Sequence, residues 1–182
     1  MLWQYCWGHS VYHLTRWFPR NNRLKIRIVM MIFTIALLIP QFFVLAEPHT
    51  ERFCGQHLFE FLVVSIVYTF CMIGFSFIFS LMDPVPWEVK FAFHIFGVIT
   101  FVTGIVFTFF TSMAAECKVT TPELYYFSLA AVVITVVSLV FFAIVLPFWV
   151  INWWCVNSVL DYKNRDGICY EPANCCSCVW HI

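Results

Sequence analysis

Long runs of apolar residues, broken by short charged stretches, dominate the pattern along this chain. A membrane-crossing helix needs about 20 mostly apolar residues, and windows nearly free of charge give four of them. The first is residues 28–46, the second 58–82 with one acid near its start, and the third 91–115. The fourth opens at Leu124 and stays uncharged until Asp161, a stretch of 37 residues, too long for one crossing. Asn152, Trp153 and Trp154 resemble an interfacial belt, so the span is expected to end near Ile151. Pro40 and Pro147 are tolerable in lipid, where neighbouring groups satisfy the freed carbonyls.

Ahead of the first span, Trp3, Trp7, Val11, Leu14 and Phe18 recur at spacings of 4, 4, 3 and 4. That is one face of a helix, and with Arg16 and Arg20 close by it predicts a segment lying in the membrane interface. A disordered, aromatic-rich tail is the plainer alternative. The N-terminal 20 residues hold no apolar run of signal-peptide type, so the first span is expected to act as an uncleaved signal anchor.

Composition agrees with the pattern. Of 182 residues, 62% are hydrophobic and only 11% charged, with 22 Phe and 8 Trp; an ordinary soluble domain is about 25% charged. Zero net charge gives no long-range field for nucleic acid. The expected architecture is an all-α bundle of four transmembrane helices. The chain divides into an N-terminal segment 1–23, a four-helix domain 24–155 and a Cys-rich tail 156–182.

Sidedness follows from basic residues. With four crossings, one side carries Arg16, Arg20, Arg23, Lys25, Arg27, Lys90, Lys163 and Arg165, and the other only Arg52 and Lys118. The positive-inside bias places both ends in the cytosol. This topology sorts the cysteines. Cys54 and Cys117 fall in the two loops on the oxidising side, one in each, so a Cys54–Cys117 disulfide is the natural pairing; two free thiols near the interface are the alternative. Mid-span Cys71 reads as a small packing residue.

The tail reads "NCCSCVWHI". Cys178 is fifth from the end, one position off a prenylation signal. Cytosolic thiols near a membrane are typical S-acylation sites, which makes Cys175, Cys176 and Cys178 candidates. A metal site wants a tetrahedral set such as paired C-x-x-C. The C-x5-C-C-x-C spacing from Cys169, with His181 behind it, is poor chelating geometry. Unmodified thiols are the third reading.

Ionisable residues within spans are functional candidates by default. Here there are two, Glu60 and His94. They fall near opposite ends of adjacent helices and cannot pair, so each is expected to reach water at an interface. Gly97, Thr100, Gly104 and Thr108 share a stripe of the third span, and Ser76 and Ser80 repeat at i, i+4 in the second. Small residues let helix backbones approach closely; packing within the bundle explains them, and a homo-oligomer interface is the other use. No G-x-S-x-G, H-E-x-x-H, phosphate loop or D-H-H-C motif occurs. No catalytic residues, cofactor or metal are therefore expected.

The second and third spans carry a resemblance. Phe59, Glu60 and Phe61 open a long aromatic span, a short turn ends in Pro86 and Trp87, and His94 lies in the first turns of the next span. With the basic "RLKIRIV" before the first span, this resembles the central hairpin of MARVEL-domain proteins over residues 24–155. The resemblance implies an M-shaped topology with cytosolic ends and a non-enzymatic role in vesicle trafficking, membrane apposition or fusion, or cell junctions. It also implies plasma-membrane or secretory-vesicle localisation and partners among other membrane proteins. Some such proteins associate with sterol-rich bilayer. An accessory or pore-forming subunit of a channel or transporter is the alternative function.

Overall fold

The computed structural model describes residues 1–17, 22–51, 54–82 and 85–154. Its elements are α1 (Leu2–Trp17), α2 (Arg23–Ala36), α3 (Leu38–Ala46), α4 (Leu58–Leu81), α5 (Trp87–Ser112), α6 (Cys117–Thr120) and α7 (Pro122–Trp154). The four expected spans are present: Arg23–Ala46, Leu58–Leu81, Trp87–Ser112 and the Pro122–Ile144 portion of α7. The chain is an all-α, multi-pass integral membrane protein.

Helix ends differ from the apolar windows for a physical reason. The first span starts at Arg23 rather than residue 28, and the third at Trp87 rather than 91. Hydropathy marks where lipid begins, whereas a helix runs on into the interface while Arg and Lys extend their charged ends to water. At the far end of the third span the helix stops at Ser112, where Met113 and Ala114 close a tight turn onto the carbonyls of Phe110 and Thr111.

The first span is two helices, α2 and α3, that meet at Leu37. Pro40 has no N–H to offer the carbonyl of Ala36, so the ladder breaks within the preceding turn. The Leu37 carbonyl at the break accepts a hydrogen bond from Gln41 Nε2 at 3.0 Å. α7 is one helix of 33 residues that continues through Pro147. At 1.5 Å per residue it is about 50 Å long, against a hydrocarbon core of about 30 Å.

The bundle is polarised into two ends. At one, Cys54 and Cys117 form the expected disulfide (Cα–Cα 5.0 Å), joining the turn after α3 to α6. Both cysteines are buried in a core with Leu58, Leu62, Phe107 and Leu124. At the other end, by the turn between α4 and α5, Phe79, Phe93, Phe96 and Tyr12 make an aromatic core with Met72 and Val85. The outer faces of the spans present Ile32, Phe43, Phe70, Val98, Phe109 and Val137 to the lipid.

The largest departure from expectation is α1. It does not lie on the bundle but inside it, packed on α4, α5, α7 and α2. Gln4 meets Ser65 on α4, and Tyr12, about two turns further on, meets Phe79, so α1 runs parallel to α4 and ends near the α4–α5 turn. Its buried face is Gln4, Gly8, Val11 and Thr15, while Trp3, Trp7 and Leu14 are only half-buried. Trp3, Trp7 and Leu14 thus lie at the edge of the bundle, whereas Val11 of the same stripe, with Leu2 and Tyr12, is buried beside Gln4, Gly8 and Thr15. Within a bilayer, polar groups such as Gln4 and Thr15 find partners in the bundle interior.

Candidate functional site

The four spans and α1 enclose a layer of polar side chains at membrane depth. Gln4 Nε2 on α1 donates to Ser65 Oγ on α4 at 3.1 Å. One turn along α4, Thr69 meets Gln41 on α3: Gln41 Nε2 lies 2.8 Å from Thr69 Oγ1. Trp7 Nε1 donates to Thr34 Oγ1 on α2 at 2.8 Å, and the Met1 nitrogen donates to Thr135 Oγ1 on α7 at 2.8 Å. Tyr5 OH lies 3.4 Å from His94 Nδ1 on α5. Every span thus gives one polar contact to α1 or to the residues around it.

Sequence order alone explains how these groups converge. Ser65, Thr69, Ser76 and Ser80 recur at spacings of 4, 7 and 4, one stripe of α4, and all are buried. Short hydroxyl side chains in a helix bond the carbonyl one turn back. Thr69 does so to Ser65 O at 2.8 Å, Ser80 to Ser76 O at 2.8 Å and Thr135 to Ala131 O at 2.8 Å. Two fully buried atoms of the layer have no hydrogen-bond partner: Gln4 Oε1 and Ser76 Oγ. A buried polar atom without a partner costs roughly 1–3 kcal/mol.

The small residues expected to serve packing do so, with α1 among their partners. A Cβ on Gly97 would lie 2.7 Å from the Tyr5 ring, and one on Gly104 3.3 Å from Thr135 Cγ2 and 3.4 Å from the Leu2 nitrogen. Thr100 is buried on the same face and bonds Gly97 O at 3.0 Å; Thr108, half-buried, bonds Gly104 O at 2.8 Å.

Glu60 and His94 lie at opposite ends of the bundle, as expected, and only the first is a surface residue. Glu60 is exposed on the disulfide end, where its carboxylate pairs with His57 Nδ1 at 3.0 Å. His94 is half-buried, with Tyr5 OH of α1 3.4 Å from its Nδ1. Cys71 is exposed on the lipid face of α4, not in the core. Cys175, Cys176 and Cys178, with the whole segment 156–182, lie outside the described residues. Among the described residues no group of three or more His, Cys, Asp or Glu is placed to hold a metal ion.

Gln4, Tyr5, Gln41, Ser65, Thr69 and Thr135 carry the layer and are absent from the sequence-based candidates. The hydroxyl periodicity of α4 and a lone glutamine inside an apolar span were the available signals. No family model, curated protein or solved structure matches this chain. The fold therefore defines the class, a four-spanning, all-α membrane protein with an additional helix inside its bundle.

Proposed function

We propose that this is a non-enzymatic membrane protein of MARVEL-like type that organises membrane, acting in vesicle trafficking, bilayer apposition or fusion, or cell junctions. The observation that carries the reading is how little of the described chain stands clear of the bilayer at the disulfide end. Residues 47–57 and 113–121 connect the spans there, and the disulfide ties them together. Short connections permit two bilayers to approach closely and leave no folded domain on that face to reach across a wide gap. The proposal places both chain ends in the cytosol and the protein in plasma membrane or secretory vesicles. It makes Cys175, Cys176 and Cys178 S-acylation sites that bias lateral sorting, with sterol-rich bilayer and other membrane proteins as partners.

A second reading, a subunit of a channel or transporter, is favoured by one observation: the buried polar layer around Gln4, Gln41, Ser65 and Thr69. Two measurements separate the readings. An acyl-exchange mass shift that vanishes when the three tail cysteines become serine, with loss of compartment, supports the organising role. A conductance from the purified chain in planar bilayers, abolished by Thr69→Val with folding intact, sinks it in favour of transport.

A further inference from the structure

The docked position of α1 leaves its own chemistry incompletely satisfied, while four hydroxyls of its groove are bonded without it. Gln4 Oε1 is fully buried with no partner. The hydroxyls lining the groove hold their own helices' carbonyls: Thr34 bonds Met30 O at 2.7 Å, Thr69 Ser65 O at 2.8 Å, Thr100 Gly97 O at 3.0 Å and Thr135 Ala131 O at 2.8 Å. Withdrawing α1 would strand none of these donors. It would let water reach Gln4.

α1 is also suited to a second location. It has 16 residues, about 24 Å of helix, and is not one of the four helices apolar enough to cross a bilayer. Trp3, Trp7 and Leu14 share one side, and Gln4, Gly8 and Thr15 form the adjoining stripe, about 100° round the helix. Such a helix is stable wherever the aromatic side meets lipid and the polar side meets hydrogen-bonding partners. The groove supplies Ser65 for the polar side; a membrane surface supplies water. On the docked helix Ser10 is exposed, and the half-buried Cys6 lies beside Ser138 on α7.

We propose that α1 exchanges between the groove and the membrane surface at the α4–α5 end, and that its second partner is the lipid interface itself. In the surface position Trp3, Trp7 and Leu14 enter the acyl boundary while Gln4, Gly8 and Thr15 face water. Loosely packed or strongly curved bilayer, which takes up aromatic side chains readily, draws α1 out. The bundle then reports the state of the surrounding lipid through the occupancy of its groove.

The test uses the full chain in dioleoylphosphatidylcholine vesicles, either large and nearly flat or small and strongly curved. A water-soluble maleimide is added, and modification of Cys6 is followed by peptide mass spectrometry. Docked α1 holds this half-buried thiol at bilayer depth beside Ser138, where a water-soluble reagent does not penetrate, and surface α1 brings it to the interface. The expected result is labelling at least about fivefold faster in the small vesicles, the mark of a shifted two-state population. Gly97→Leu, which thrusts a side chain into the Tyr5 ring, should bring labelling in large vesicles up to the small-vesicle rate. If this variant fails to fold, the wild-type comparison decides alone. Equal Cys6 rates in both vesicle types, with the Cys54–Cys117 bond intact, overturn the proposal and make α1 a fixed helix of the core.

Discussion

Replacing Gln41 by leucine isolates the contact between the first and second spans at the polar layer. Gln41 Nε2 lies 2.8 Å from Thr69 Oγ1 and 3.0 Å from the Leu37 carbonyl, and Gln41 is fully buried. Leucine matches the apolar volume and removes both bonds, along with the acceptor Oε1, which lies 3.2 Å from Thr69 Oγ1. Thr69 keeps a partner, because its hydroxyl bonds Ser65 O at 2.8 Å. The Leu37 carbonyl, at the break before Pro40, loses its side-chain donor. Side-chain hydrogen bonds between membrane helices average about 0.6 kcal/mol and reach about 1.7, because the separated helices also find partners. With an under-satisfied carbonyl added, the expected cost of Gln41→Leu is about 1–2 kcal/mol. A double-mutant cycle with Thr69→Val, read by reversible SDS unfolding in bicelles, should give a coupling of about 0.6–1.7 kcal/mol. A coupling indistinguishable from zero would show that the two side chains do not share a hydrogen bond. A Gln41→Leu chain more stable than wild type would show that the layer opposes folding, and the account of it given above would fail.

Gly104 and Gly74 make a contrasting pair. Gly104→Ala meets Thr135 at 3.3 Å and should destabilise by about 1 kcal/mol or more, whereas a Cβ on Gly74 meets nothing within 4 Å, so Gly74→Ala should be neutral or stabilise by up to about 1 kcal/mol; bicelle unfolding of each variant decides. Cys54→Ser should abolish the mobility difference between reduced and oxidised gels. It should also lower stability by less than the chain-entropy value of about 4 kcal/mol, because inserted helices are not a random coil. Glu60→Gln removes an exposed pair with His57 and should shift stability by under about 0.5 kcal/mol. Thr34→Val deletes the acceptor of the Trp7 indole and leaves it in a less polar setting; a blue-shifted tryptophan emission component relative to wild type is the expected readout, and an unchanged spectrum would argue against the contact.

The spans were legible because lipid imposes one demand, about 20 apolar residues in a row, and four windows met it. The disulfide was legible from parity, since each loop on one side held a single cysteine. α1 was not, for a reason specific to membranes. A stripe of Trp3, Trp7 and Leu14 says only that one side of the helix meets lipid. It does not say whether Gln4 and Thr15 on the other side meet water or protein. Both solutions satisfy the same periodicity, and only the hydroxyls of α4 break the tie. The contact of His94 with Tyr5 was hidden for the linked reason: Tyr5 belongs to a helix expected to lie elsewhere. Cys71 looked internal because it sits mid-span, yet depth in the bilayer and burial in the protein are separate coordinates.

The Cys54–Cys117 bond doubles as a compass for the whole molecule. Disulfides persist where the surroundings are oxidising and are lost in the reducing cytosol. If the oxidised form is what cells contain, that end of the bundle faces the lumen or the exterior, whatever the basic residues say. Four crossings then carry the sign through the chain. The α4–α5 turn, the open end of the α1 groove and the end of α7 beyond Ile144 all come to lie on the cytosolic side. A single gel under non-reducing conditions would thus orient every segment of the protein at once.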